Sequence, residues 1–342
     1  MSEHVESYNV HDVIKFNLIN KMRFGGLLKG INPEYEYFKT NSVIGNPDFS
    51  IKIYDFNTFL YKSNNNNLSK YLKYKDYYYY AELNAEKNSI EVVSFRYNLK
   101  GLRKFFGYSA LKNVFVRSLI SIHMINQNGT LVHGGGVSYN GKASIFVGRP
   151  GVFKTTIVMK LIKNSKFKYL GEENILLKDN KVYSFPLNKK SFNYKVQNWN
   201  NENPSSYLQK FLLGMDILIG KENIPLEISN PVELENVFII KKSDKFSIKE
   251  VSFSEEILEQ LVNNEKLELQ ICPTHSFSGI HTNIIEEIHE YYFKGTPLEL
   301  NNIWDGLRKI FIDYVKNKNI YQITVPHKYS NDIHSTLLEY IS

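Results

Sequence analysis

The stretch Ser144-Ile145-Phe146-Val147-Gly148-Arg149-Pro150-Gly151-Val152-Phe153-Lys154-Thr155-Thr156 constrains this chain more than any other. An apolar strand runs into a Gly- and Pro-containing turn, which delivers Lys-Thr-Thr to the start of an apolar-periodic helix. That is the layout of a phosphate-binding loop. Backbone N–H groups and a helix N-terminus surround an anion, a lysine neutralises it, and a hydroxyl ligates Mg²⁺. The strict pattern, G-x-x-x-x-G-K-[ST], fails at one place, because Phe153 stands where the second glycine belongs. If the backbone needs a positive φ there, a β-carbon costs on the order of 1 kcal/mol. If the position is only crowded, the ring turns outward and covers a bound nucleotide. Taken alone, the same residues also read as a simple helix start with a capping threonine.

The surrounding pattern decides how much weight the loop can bear. Ahead of it, Leu131 to Tyr139 and Ala143 to Val147 read as two strands joined by Asn140-Gly141, the strongest short hairpin signal. Behind it, a helix from about Lys154 to Asn164 places Ile157, Val158, Leu161 and Ile162 inward. A strand from Phe167 to Leu170 then ends in Gly171-Glu172-Glu173. A second hairpin, Ile175 to Leu177 and Val182 to Phe185, turns at Asp179-Asn180. Residues 187–231 read as a long excursion, the kind of segment that serves as a lid or substrate loop. Order resumes with strands at Val237–Ile240 and Phe246–Val251. Ser252 and Glu255 have capping-box spacing for a helix Glu255 to Val262. Helices at Asn283–Phe293 and Asn301–Val315, a strand at Tyr321–Val325 and a terminal helix near Asp332–Tyr340 complete the reading.

Residues 1–126 read as a separate strand-rich α+β domain. Ser50–Tyr54 alternates polar and apolar, and Tyr77–Leu83 with Ser89–Phe95 look like neighbouring strands. Asn64 to Asn67 is a polar loop tip. A helix from about Tyr108 to Asn126 carries Leu111, Phe115, Leu119 and Ile122 on one face and stops at Asn128-Gly129. The 342 residues fit two domains, 1–126 and 127–342.

With 42% hydrophobic and 23% charged residues the chain can bury a real core. The net charge of +7 suits an acidic partner, a nucleotide or a nucleic acid. The lysines are scattered and no nucleic-acid recognition motif is present, so nucleic acid ranks last. Lys160, Lys163, Lys166 and Lys168 follow the loop and read as a solvated face or as a guide for an acidic substrate. A single cysteine, Cys272, excludes an internal disulfide. The start of the chain lacks the pattern of a signal peptide and no run has bilayer-spanning length, so the expectation is a cytoplasmic protein without a membrane. The Cys272–His275 pair is too close in sequence to imply a nucleophile and its base. His281, Glu286 and His289 fit one helix face without the rest of a metal set.

Four pieces then stand in one order: His133-Gly134, the loop, Lys154-Thr155, and Glu172-Glu173. Phosphoryl transfer needs such parts. Lys154 would neutralise the β- and γ-phosphates, and the Thr155 hydroxyl would hold Mg²⁺. A carboxylate at the end of an adjacent strand would complete the metal shell, and a second carboxylate or a histidine would orient or deprotonate an attacking hydroxyl. Each piece has a plainer reading. Glu172-Glu173 also fits a solvated turn, His133 a structural histidine, Arg149 a surface charge rather than a phosphate contact, and Gly134 to Gly136 a bulged strand.

At these residues the chain resembles the catalytic domain of HPr kinase/phosphorylase, and more loosely the related phosphoenolpyruvate carboxykinase group. The family reads His-Gly, a hairpin, Gly-x-Ser-Gly-x-Gly-Lys-Ser, a helix, then a strand ending in Asp-Asp. The counterparts here are His133-Gly134, Gly148 to Thr155, and Glu172-Glu173. The resemblance covers about 130–186 well and 232–262 loosely. It implies an α/β fold, an HPr kinase-like P-loop domain with a mixed sheet. It also implies a kinase using ATP or GTP and Mg²⁺ to phosphorylate a serine-like hydroxyl of a protein, peptide or small molecule. Gly148, Arg149, Gly151, Phe153, Lys154, Thr155 and Thr156 would contact the nucleotide. Thr155 and Glu173 would face the metal, Glu172 would be the acid/base, and His133 would support it. HPr kinases also form rings, which makes a homo-oligomer an expectation. Pro150 for the loop serine, Phe153 for glycine and Glu for both Asp positions are the departures. The alternative is a nucleotide-binding or recognition module of the same fold in which Phe153 has ended catalysis.

Overall fold

The computed structural model describes residues 4–20, 35–54, 69–74, 77–84, 89–95, 115–164, 166–186, 227–269, 273–275, 281–283 and 303–341. The chain is mixed α/β and divides into two compact units, 1–128 with 266–307 and 129–265 with 308–342. Relative to the contiguous split at 126, the first unit gains a return segment from the C-terminal half. The readings at Asn64–Asn67, Cys272, Glu286, His289, the helix at 283–293 and most of the 187–231 excursion fall outside the described residues.

The first unit holds strands β1 (His4–Val10), β2 (Ile14–Asn20), β3 (Phe49–Tyr54), β4 (Ser69–Tyr74), β5 (Tyr77–Asn84), β6 (Ser89–Phe95), β14 (Pro273–His275) and β15 (His281–Asn283). They form one sheet in the order β1-β2-β3-β6-β5-β4-β14-β15, with β2, β3 and β6 mutually parallel in sequence of contact. Its register is pinned by aromatic rings. Tyr8, Phe16 and Phe49 are directly opposed on β1, β2 and β3 and stack at 4.8 and 5.1 Å. Helix α1 (Arg117–Asn126) buries Leu119 and Ile122 as its spacing predicts, and His123 stacks on Phe49 at 5.3 Å. The β1–β2 hairpin escapes the sequence reading. His281 lies in a strand, which removes it from the proposed helix face.

The second unit contains the loop. Its strands are β7 (Thr130–Tyr139), β8 (Lys142–Val147), β9 (Lys168–Gly171), β10 (Asn174–Lys178), β11 (Lys181–Tyr183), β12 (Val232–Lys242), β13 (Ser247–Val251) and β16 (Asn319–Val325). The order is β11-β10-β7-β8-β12-β16-β13, with β9 also on β7. A further pairing of β11 with β12 closes β7, β8, β12, β11 and β10 into a ring. Strands β8, β12 and β16 run parallel, and Phe146, Phe238 and Tyr321 lie opposite one another in register. Their rings stack at 5.1 and 5.0 Å, a second ladder of the kind seen in the first unit. Helices α2 (Lys154–Ile162) and α5 (Asn331–Ile341) share a core with that ladder through Ile157, Val158, Leu161, Ile333 and Leu337.

Helix α3 (Glu255–Leu269) runs further than its apolar pattern, and Ser254 rather than Ser252 starts it. The Ser254 hydroxyl accepts from Ile257 N at 3.4 Å and its carbonyl from Leu258 N at 3.0 Å. Arg308 of α4 (Ile303–Val315) binds both Glu255 and Glu259. Both hairpin turns of the unit are of the expected type. Asn140 and Gly141 have φ of 46° and 78°, and Asp179 and Asn180 have 50° and 58°. At Gly141 a β-carbon would meet nothing within 4 Å. Gly141→Ala should therefore cost only the backbone preference, about 1 kcal/mol in thermal unfolding. A much larger loss would mean that the turn carries contacts beyond its own geometry. Among the described residues no helix is long and apolar enough to cross a membrane.

Candidate functional site

The loop leaves the C-terminal end of β8 between two constraints. Gly148 is buried, and a β-carbon there would stand 2.5 Å from the Ile240 carbonyl of β12. Only a glycine lets the chain pass so close to the neighbouring strand. Arg149 and Pro150 are exposed, Gly151 turns at φ 83°, and Val152 inserts into the core to anchor the loop's far side. Phe153 then adopts the left-handed conformation, φ 69° and ψ 17°, and stands at the N-cap of α2. The backbone therefore keeps the positive φ that the phosphate-loop pattern assigns to glycine, and a bulky side chain bears the strain. The Phe153 ring is partly buried and packs against the core shared by α2 and α5. It meets the Tyr329 ring edge-on at 5.4 Å, and the Lys242 ammonium sits 3.5 Å from its centroid.

The N-terminus of α2 has no side-chain cap and no acid in its first turn. The cap residue thus gives the first-turn N–H groups no side-chain acceptor, and the positive dipole end of the helix favours an anion. Lys154 is only 7% exposed. Its ammonium folds back to donate to the Gly148 carbonyl and, at 3.2 Å, to the Arg149 carbonyl. A buried lysine held by carbonyls of the loop it follows is a charge stored at the loop's mouth. Thr155 is half-buried and Thr156 is buried, both in the first turn. Arg149 contributes its carbonyl to Lys154, while its side chain is exposed.

The acidic pair reaches the same place through sheet register. Strands β9 and β10 both pair with β7, at Gly136↔Gly171 and His133↔Asn174. Glu172 and Glu173 are the interruption between them, opposite Gly134 and Gly135. Gly134 N donates to the Glu173 carbonyl at 3.1 Å, and Gly134 is itself the partner of Val147, the last strand residue before the loop. Acidic turn, glycine and loop entrance therefore lie side by side across the sheet. Gly135 closes the arrangement. The carbonyls of Lys154 and Gly171 would lie 3.6 and 3.7 Å from a β-carbon placed there, so the start of α2 and the acidic turn converge on it. Gly134, Gly135 and Gly136 thus serve close packing, against the Phe146 carbonyl, Val158 and Ile175 respectively.

Glu172 is 5% exposed and Glu173 is exposed. Both carboxylates act on Tyr169, whose phenol is pushed far above its usual pKa, first by burial and then by these two charges. His133 is buried on β7, and α3 holds its backbone. His133 N donates to Glu265 Oε1 at 2.5 Å, and its carbonyl accepts from Asn264 Nδ2 at 2.8 Å. Glu265 and Asn264 are both buried and were not legible as site-supporting residues, since they sit in a polar stretch that looks solvated. Of the lysines after the loop, Lys168 pairs with Glu227 and Lys160 lies 4.8 Å over the Tyr329 ring.

Among the described residues no three His, Cys, Asp or Glu side chains form a cage for a metal ion. A Mg²⁺ site of the phosphate-loop kind needs no cage, because one hydroxyl and one or two carboxylates suffice beside substrate phosphates. Thr155 stands in the first turn of α2, and the Glu172-Glu173 turn lies opposite Gly134 and Gly135. A polar cleft of about 600 Å³, between Glu250–Phe253 and Lys316–Ile320, opens at the opposite end of the strands from the loop. No protein-family model matches the chain, and no curated protein matches it in sequence.

Proposed function

We propose that the second unit is a nucleotide-dependent kinase of the HPr kinase type, transferring the γ-phosphoryl group of ATP or GTP to a serine-like hydroxyl. The observation that carries this reading is the convergence on Gly135 of an uncapped helix start bearing buried Lys154 and a turn bearing buried Glu172. Cation, anion-binding helix end and base are the three parts that phosphoryl transfer asks of a protein. The strain at Phe153 supports it as well. A left-handed aromatic residue persists only where its surroundings over-determine it, and the loop geometry is what it preserves.

In this mechanism the loop N–H groups and Lys154 cradle the β- and γ-phosphates. Thr155 and Glu173 would hold Mg²⁺, which lowers the cost of charge building on the phosphate oxygens. Glu172 takes the proton of the acceptor hydroxyl as its oxygen bonds to the γ-phosphorus. The bond from that phosphorus to the bridging oxygen breaks, and the nucleoside diphosphate leaves. His133 sits one residue from the glycines that the acidic turn flanks and keeps that stretch of β7 in place through α3. The acceptor is a protein, peptide or small molecule bearing an alcohol.

Calorimetric titration with Mg-ATP and Mg-GTP tests the binding half, and phosphate release or transfer tests the chemistry. Glu172→Gln should lower turnover by about a hundredfold or more while nucleotide affinity changes little. Absence of binding by the unmodified chain would sink the kinase reading. Binding without turnover toward any hydroxyl acceptor would instead leave a nucleotide-recognition module.

A further inference from the structure

We propose that Lys242 is a second phosphate-binding cation of this loop, held there by the Phe153 ring, and that it tunes the site toward nucleotides with a di- or triphosphate chain. The inference rests on the nucleotide reading above and adds a specificity residue to it.

Lys242 ends β12, the strand whose Ile240 carbonyl presses on Gly148. Its ammonium lies 3.5 Å from the Phe153 ring centroid and donates to the Pro326 carbonyl at 3.1 Å. Those are its partners among the described residues. Some other lysines of the unit are matched by carboxylates: Lys142 by Glu235, Lys168 by Glu227, and Lys241 by Glu256 at 4.0 Å. Lys242 is a cation placed against the residue that immediately precedes Lys154, and among the described residues no carboxylate pairs with it. Lys242 thus adds a cation beside the helix start, whose positive dipole end and following Lys154 already favour an anion. A single phosphate needs fewer positive groups than a chain of two or three.

This also accounts for the departure at position 153. Glycine would relieve the left-handed strain at no steric cost, so the ring must return something for it. It packs against the core of α2 and α5 and meets Lys242 and Tyr329, with Lys160 over the Tyr329 ring. Two cations and two rings are thus in contact in a row that runs from Lys242 beside the helix start to Lys160 in the last turn of α2. The aromatic face holds an ammonium by its quadrupole and, unlike a carboxylate, leaves the charge available to a ligand.

The test is calorimetric titration of the full chain with Mg-ATP, Mg-ADP, AMP and inorganic tripolyphosphate. The variants are Lys242→Ala, Lys242→Arg, Phe153→Leu and the double Phe153→Leu/Lys242→Ala. Lys242 is exposed, so its replacement leaves folding intact, and leucine keeps the β-carbon while removing the aromatic face. Lys242→Ala should weaken ATP and tripolyphosphate by about tenfold and AMP by about twofold or less. Lys242→Arg should restore most of the affinity. Phe153→Leu should produce a similar loss, and the double variant should be no weaker than the worse single one. Unchanged ATP affinity in Lys242→Ala, beside a large loss in Lys154→Ala, would remove Lys242 and leave the nucleotide site standing. Equal losses for AMP and tripolyphosphate, or additive losses in the double variant, would also overturn the inference. If the unmodified chain binds none of these probes, the inference and the nucleotide reading fall together.

Discussion

Lys154→Ala should reduce Mg-ATP affinity by about a hundredfold or more, equivalent to roughly 3 kcal/mol, and abolish measurable phosphoryl transfer. The size follows from burial. Lys154 is 7% exposed, so its charge acts on a bound phosphate through little water and is worth more than a surface lysine's. Folding should survive. Among the carbonyls that lose their donor are those of Gly148, which is buried, and Arg149, whose residue is exposed. Each buried acceptor left unsatisfied costs about 1–3 kcal/mol, which thermal unfolding reads as a drop in melting temperature. Calorimetry and thermal unfolding on the same preparation separate the two effects. Retained affinity in a folded Lys154→Ala protein would mean that the loop does not bind phosphate.

Gly171→Ala should destabilise the second unit by about 3 kcal/mol or more, a fall of roughly 6–12 °C in its melting transition. A β-carbon at Gly171 would stand 2.1 Å from the Asn174 carbonyl, a backbone atom on the far side of the acidic turn. Relief requires opening the turn itself, so Glu172 and Glu173 shift with it and nucleotide turnover falls beyond what stability alone explains. Gly135 offers the contrast. Its β-carbon would meet a Val158 methyl at 2.6 Å, the end of a side chain, and a Val158→Ala change can make room. Gly135→Ala should therefore be milder and partly rescued by Val158→Ala, whereas no side-chain change rescues Gly171→Ala. Equal and rescuable effects at both positions would show that the acidic turn is not held as tightly as its geometry implies.

Much of the second unit was legible because its signals are local. Asn140-Gly141 and Asp179-Asn180 specify their turns through left-handed residues, and Ile157, Val158 and Leu161 mark the buried face of α2 by spacing alone. What stayed hidden is polar and buried. Glu6, Ser7, Asn17 and Asn20 disguise the β1–β2 hairpin as solvated chain, yet Ser7 Oγ donates to Asn17 Oδ1 at 2.6 Å and Tyr8 donates to Glu6 at 2.9 Å. Asn264 and Glu265 disguise the last turns of α3 in the same way, because their partner is the backbone of His133. Periodicity records where apolar side chains go and cannot see a polar group satisfied at long range. At the candidate site the sequence carried the loop, the lysine and the acidic pair in order. Lys242 and Tyr329 were invisible because only the parallel pairing of β8, β12 and β16 brings their segments to Phe153.

The ring formed by β7, β8, β12, β11 and β10 has a mechanical consequence. Open sheets fray from their edges, and a site built on an edge can breathe one strand at a time. Here the strand feeding the loop, the strand carrying the glycines, the hairpin behind the acidic turn and the strand ending in Lys242 are joined in one hydrogen-bonded circuit. Loosening any member strains the rest. Loop, acid and outer lysine are thus fixed to one hoop, and on the proposed reading a ligand would move side chains at its rim rather than strands: the Lys154 ammonium away from the Gly148 and Arg149 carbonyls, and the contact of Phe153 with Tyr329.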